Sequence, residues 1–103
     1  SPVAKVLAKG DFYVQLGAYE NAAVAKDAWG RMARRFAGHT PSGMNFAANG
    51  ANFYRLSIGG FTRHDADAVC HGYRARGGRC FVRTAAGDQM AAWNASGNKL
   101  ASR

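Results

Sequence analysis

Phe12–Tyr19 reads FYVQLGAY, and its alternation sets how the rest of the chain is read. Val14 and Leu16 fall on one side, Tyr13, Gln15 and Gly17 on the other. Successive side chains of a strand point to opposite faces of a sheet, so this period of two predicts a half-buried β-strand. Next, Glu20-Asn21 supplies a helix N-cap, and Ala25, Ala28, Trp29, Met32 and Phe36 recur at helical spacing until Gly38. Pro41, Ser42 and Gly43 interrupt the chain before a second strand over residues 44–48. Asn49-Gly50 marks a tight turn into a third strand over 53–58, closed by Gly59-Gly60. Thr62 and Asp65, three apart, form a variant of the capping box for a second helix. Its apolar stripe is Ala66, Val69, Cys70 and Tyr73, and Gly77-Gly78 stops it. Residues 80–83 read as a fourth strand with Val82 facing inward.

Leu16-Gly17-Ala18-Tyr19 overlays Ile58-Gly59-Gly60-Phe61, each preceded by strand and followed by helix. This doubled unit predicts an α+β fold of ferredoxin-like βαββαβ order. Two helices cover one face of a four-stranded antiparallel sheet and leave the other bare. Residues 1–10 read as the end of a linker, without the apolar stretch of a signal peptide, and 11–84 as the domain. Residues 85–103 read as a tail in which Met90 and Trp93 could pack back as a short helical turn.

The chain of 103 residues is 48% hydrophobic and 12% aromatic, which offsets chain entropy in one core and leaves no room for two. Fourteen Lys plus Arg against six Asp plus Glu give a net charge of +8, which attracts polyanions or anionic surfaces. No apolar run reaches the roughly 20 residues that span a bilayer, so no membrane contact is expected of this segment. Cys70 and Cys80 fit neither a CxxC redox motif nor a zinc site. Both belong to core-facing positions, so the sulfurs either bridge beneath the sheet or stand as two buried thiols. A bridge would close a loop of about 11 residues and contribute about 2.5 to 3 kcal/mol.

With Val14, Leu16, Tyr54, Leu56, Ile58 and Val82 turned to the helices, the bare face presents Tyr13, Gln15, Phe53, Arg55, Ser57, Phe81 and Arg83. Aromatic platforms stack on sugar faces or nucleobases, an amide donates and accepts, and guanidinium groups fork onto carboxylate or phosphate. The alternative is a face that dimerises or is covered by the tail. His39, His64 and His71 fall in a loop, at a helix start and on a polar helix face, where solvated histidines are expected. Nothing places them with a nucleophile or carboxylate in one cleft, and the phosphate-loop, dinucleotide and zinc-protease patterns are missing. The reading is therefore a binding domain without catalytic residues, cofactor or metal.

FYVQLGAY, an Ala-rich helix, NFYRLSIGGF, a second helix with a cysteine, and RCFVR together resemble the SPOR (sporulation-related repeat) domain over residues 11–84. The resemblance implies an RNP-like fold and non-catalytic binding of bacterial peptidoglycan, specifically glycan strands stripped of stem peptides by amidases at division septa. It places binding at the sheet-face positions Gln15, Ala18, Phe53, Arg55 and Phe81. A periplasmic location follows from that ligand and permits the Cys70–Cys80 bridge, and the domain is expected to be a monomer. A membrane-anchored division factor, an amidase or a lytic transglycosylase could each carry such a module.

Two rival readings share this pattern. An RNA-recognition module has the same element order and a basic aromatic sheet face, but its third strand should read K/R-G-F/Y-G/A-F-V-x-F/Y. Here that strand reads FYRLSIGGF, so no nucleic acid is expected. A protein-interaction domain that recruits a division partner would use the same face or a helix.

Overall fold

The computed structural model describes residues 10–91 and 93. Its elements are β1 (Phe12–Tyr19), α1 (Ala22–Met32) with a 3-10 turn at Ala33–Phe36, β2 (Pro41–Ala48), β3 (Ala51–Phe61), α2 (Arg63–Ala75), β4 (Phe81–Thr84) and β5 (Gln89–Met90). All pairings are antiparallel, in the order β4-β1-β3-β2-β5. The fold is thus α+β, with two helices and five strands where the sequence predicted four.

The predicted capping and turn residues do their work locally. Asn21 Oδ1 accepts from the Val24 N–H at 2.9 Å and Thr62 Oγ1 from the Asp65 N–H at 3.1 Å, each satisfying one orphan donor of a first helical turn. Asn49 and Gly50 adopt φ of 52° and 78°, the left-handed pair that matches a two-residue turn to the twist of the β2–β3 hairpin.

Both helices pack on one face of the sheet. Val14, Leu56 and Ile58 are completely buried there, with Leu16 and Tyr54 beside them. Above them lie Ala25, Ala28 and Trp29 of α1 and Ala66 and Cys70 of α2, with Phe36 and Tyr73 edge-on at 4.9 Å between the helices. Val82 is half-buried at the rim of this core. Cys70 and Cys80 form a disulfide with Cα atoms 5.8 Å apart. Cys80 lies one residue before β4, so the bridge ties α2 to the root of that edge strand.

Three sequence expectations are corrected. β2 begins at Pro41, not Met44. A proline is tolerated as the first residue of a strand because the ladder does not need its missing N–H there, and the Pro41 carbonyl accepts from Ala91 at 2.9 Å. The stretch read as tail forms β5, which pairs Ser42 with Met90 and Gly43 with Gln89, in place of a helical turn at Met90. Met90 is exposed, while the Trp93 ring lies 5.8 Å from that of Tyr54. Residues 1–9 of the expected linker and residues 92 and 94–103 of the expected tail lie outside the described residues.

The third correction is a register shift in β1 between Gln15 and Gly17, which puts Gln15 opposite Ser57 but Ala18 opposite Arg55. One extra residue reverses the alternation that follows it. Tyr19 thereby turns toward the core and Ala18 away from it. Gln15 and Arg55 lie on this face diagonal to each other, Gln15 opposite Ser57 and Arg55 opposite Ala18.

Two tests follow from the core. Native protein should weigh less than the reduced protein by the two thiol hydrogens and take up no alkylating agent, and reduction should cost about 2.5 to 3 kcal/mol while the fold persists. Leu56→Ala should cost about 2 to 5 kcal/mol in chemical denaturation, because it leaves a cavity beneath both helices.

Candidate functional site

The sheet face turned away from the helices collects Tyr13, Gln15 and Ala18 from β1, Phe53, Arg55 and Ser57 from β3, and Phe81 and Arg83 from β4. All eight sequence-predicted residues are on it. Ser42, Met44 and Phe46 of β2 join them, cross-strand from Ser57, Arg55 and Phe53.

Half of this face is not bare. Gln15 is 8% exposed and Ser57 is fully buried, although neither touches the helical side. Their cover is Arg83 and the chain that follows it. Arg83 Nε donates to Gln15 Oε1 at 2.9 Å, and Nη2 donates to Ser57 Oγ at 2.9 Å. Nη1 donates to the Thr84 carbonyl at 3.0 Å, and Nη1 and Nη2 together fork onto Asp88 at 2.8 and 2.6 Å. These five bonds use all five N–H groups that a guanidinium carries. The Asp88 side chain has no solvent exposure and that of Arg83 13%. Burial pushes the Asp88 carboxyl up, but bonds from Arg83, Ala86 and its own backbone, with the Arg83 charge, outweigh it and hold the group below its ordinary 3.8.

Residues 85–88 connect β4 on one edge of the sheet to β5 on the other, so they must pass over this face. In a flat sheet β4 and β5 would be about 19 Å apart, four steps of about 4.8 Å. The positions are also displaced along the strands, since Thr84 pairs with Phe12 whereas Gln89 pairs with Gly43, which pairs with Leu56. From Thr84 to Gln89 the chain reaches at most about 18 Å, short of that separation even before the displacement along the strands is added. The sheet is therefore curled, and the connection is a strap across its concave side. Hydrogen bonds tie it at both ends, from the Ala85 N–H to the Asp11 carbonyl at 2.7 Å and from Ala91 to Pro41.

The other half is open. The Arg55 guanidinium sits 4.2 Å above the Phe46 ring, and Phe46 stacks on Phe53 with centroids 5.5 Å apart and planes 29° apart. Ala18 is exposed beside Arg55, leaving room next to the cation. Among the described residues Arg55 has no carboxylate partner; the ion pairs there are Arg63–Asp67 and Arg83–Asp88. At the β4 edge Phe81 is 51% exposed, and Tyr13 is half-buried with the Arg83 guanidinium 5.8 Å from its ring centre. The face thus divides into a cation on an aromatic pair, a polar knot under the strap, and an exposed ring at the edge.

Sequence reasoning missed Ser42 because β2 starts earlier than expected, and Asp88 because it falls in the expected tail; Met44 and Phe46 lie within the expected strand but were assigned to neither face. The signal for Asp88 was a carboxylate following a basic strand by a few residues. Among the histidines, His64 and His71 are exposed as expected. His39 is half-buried and edge-on to Phe61 at 5.4 Å, and burial lowers its pKa below the ordinary 6.5. Among the described residues no cluster of His, Cys, Asp or Glu could hold a metal ion.

Arg83→Ala should cost about 3 kcal/mol, since it leaves a buried carboxylate without its counter-charge. Arg55→Ala should cost about 1 kcal/mol or less, the scale of an exposed cation–π contact. The depressed Asp88 pKa stabilises the fold above pH 3.8, and that contribution is lost as pH falls through the folded-state value. Acid unfolding of Asp88→Asn should therefore be less steep than that of the wild type.

With this geometry in hand, comparison with known proteins finds a match to the SPOR domain family over residues 8–84. No curated protein and no solved structure matches the chain.

Proposed function

Because the chain belongs to the SPOR domain family, whose members are peptidoglycan-binding and not catalytic domains, we propose that it binds glycan strands stripped of stem peptides, through the face opposite its helices. The observation that carries this reading is the Arg55–Phe46–Phe53 stack. A denuded strand offers apolar sugar faces, N-acetyl groups and a lactyl carboxylate on every second sugar. The aromatic pair suits a ring face, and the adjacent guanidinium suits a carboxylate. Phe81 supplies a second platform at the strand edge. A stem peptide would convert the carboxylate to an amide and add bulk, so one chemical difference supplies both lost attraction and clash.

SPOR domains occur in bacterial cell-envelope proteins that act on peptidoglycan, which supports a periplasmic setting and the Cys70–Cys80 bridge. We assign the domain to septal wall, where amidases generate its ligand, and treat it as a monomer. Its functional unit runs from residue 11 past the family match at Thr84 into β5.

Purified sacculi should retain the protein, and amidase pretreatment should raise the amount retained. Equal or lower retention after amidase would overturn the specificity. Arg55→Ala should weaken binding to denuded strands at least about tenfold, the consequence of losing about 1.5 to 3 kcal/mol from a charged hydrogen bond. Binding should weaken with salt, but less steeply than for a protein that neutralises about six to ten phosphates. Tight RNA binding with a steep salt slope would instead place the domain among nucleic-acid binders.

A further inference from the structure

The polar knot beneath the strap has the makeup of a binding site rather than of a core. Sheet faces that are built to stay covered carry apolar side chains, whereas this one carries Gln15, Ser57 and Ser42, all buried, beside the largely covered Arg83 guanidinium. Burying these groups is tolerable only while each finds a partner. The Gln15 and Ser57 side chains and the Thr84 carbonyl take three of the five N–H groups of Arg83. The remaining two point in parallel at one carboxylate, that of Asp88. The sheet thus fixes the orientation of a fork, and the strap fills it.

We propose that Arg83, oriented by Gln15 and Ser57, is a second carboxylate-binding site on this face, and that Asp88 occupies it as an internal substitute that the ligand displaces. The inference rests on the glycan reading for the identity of the ligand, a carboxylate carried on a sugar. It does not rest on that reading for the site itself. The strap is suited to release. It is held by the Asp88 fork, the bonds of Ala85 and Ala91, and a strand of only two residues. Apart from Asp88, its residues from 85 to 90 are all exposed. Opening it would return Asp88 to water and expose Gln15, Ser57 and Arg83 together. The apparent affinity of the resting protein is then its intrinsic affinity reduced by the fraction of open strap.

Asp88→Asn weakens the internal competitor without changing its size. Ala91→Pro removes the N–H that ties the strap to Pro41 and leaves every charged group in place. Each variant, shown to be folded by its near-ultraviolet spectrum, should bind denuded strands at least about fivefold more tightly than the wild type, as expected for relief of a closed state. The gain should vanish on strands whose lactyl carboxylates have been converted to methylamides. A folded variant that binds no better, or that gains equally on amidated strands, overturns the proposal. A second readout is independent of the glycan. Lactate titrated into Asp88→Asn should shift the Arg83 Nε–H resonance saturably, and should do so only weakly in the wild type. No shift in the variant refutes the site even if glycan binding is real. A saturable shift together with no retention on sacculi would keep the site and reject the glycan reading.

Discussion

The antiparallel pairing of β1 with β3 is the constraint on which the other contacts depend. These two strands lie at the centre of the sheet, so β4 and β2 can join only by adding to their outer edges. On one side the pair supplies the floor of the core, Val14 and Leu16 against Leu56 and Ile58. On the other it sets Gln15 against Ser57, the contact on which Arg83 is seated. The register shift inside this pairing lets the same strand serve both purposes. Before the shift Gln15 faces away from the helices, and after it Tyr19 can still reach the core while Ala18 opens space beside Arg55.

Two arginines on one sheet face illustrate how context divides residues of one type. Every donor of Arg83 has a partner within the chain, and the group acts as a structural hub. Arg55 has an aromatic surface beneath it and, among the described residues, no ion-pair partner. The excess of positive charge in the sequence could not make that distinction, because it does not say which cation meets which carboxylate.

The fold was legible where a local pattern repeated. Alternation in FYVQLGAY and in residues 53–58 marked the buried row, because one face of each strand must be apolar to hold the helices. Helical spacing did the same for Ala25, Ala28, Trp29, Ala66 and Cys70. Asn21, Thr62 and Asn49-Gly50 announced their caps and turn because each acts within a few residues of itself. The sequence left out what depends on distant pairing. β5 has two residues, too few to show a period, and forms only because β2 offers an unpaired edge. The shift in β1 had Gly17 as its sole hint, and strict alternation carried the reading past it. The eight predicted face residues do share one face, but the strap that separates Gln15, Ser57 and Arg83 from the open ones follows from the curl of the sheet, which no single segment encodes.

The disulfide closes residues 70–80 into a covalent ring, and β4 leaves that ring at Cys80. The ring contains the exposed residues Arg74, Arg76, Gly77 and Arg79, a stretch open to peptidases that cut after basic residues. A single cut there would turn the chain into two pieces that remain joined through sulfur, with the edge strand and its strap still registered on β1. Under oxidising conditions this turn is therefore topologically redundant, and the continuity of the sheet does not depend on the continuity of the backbone at that point.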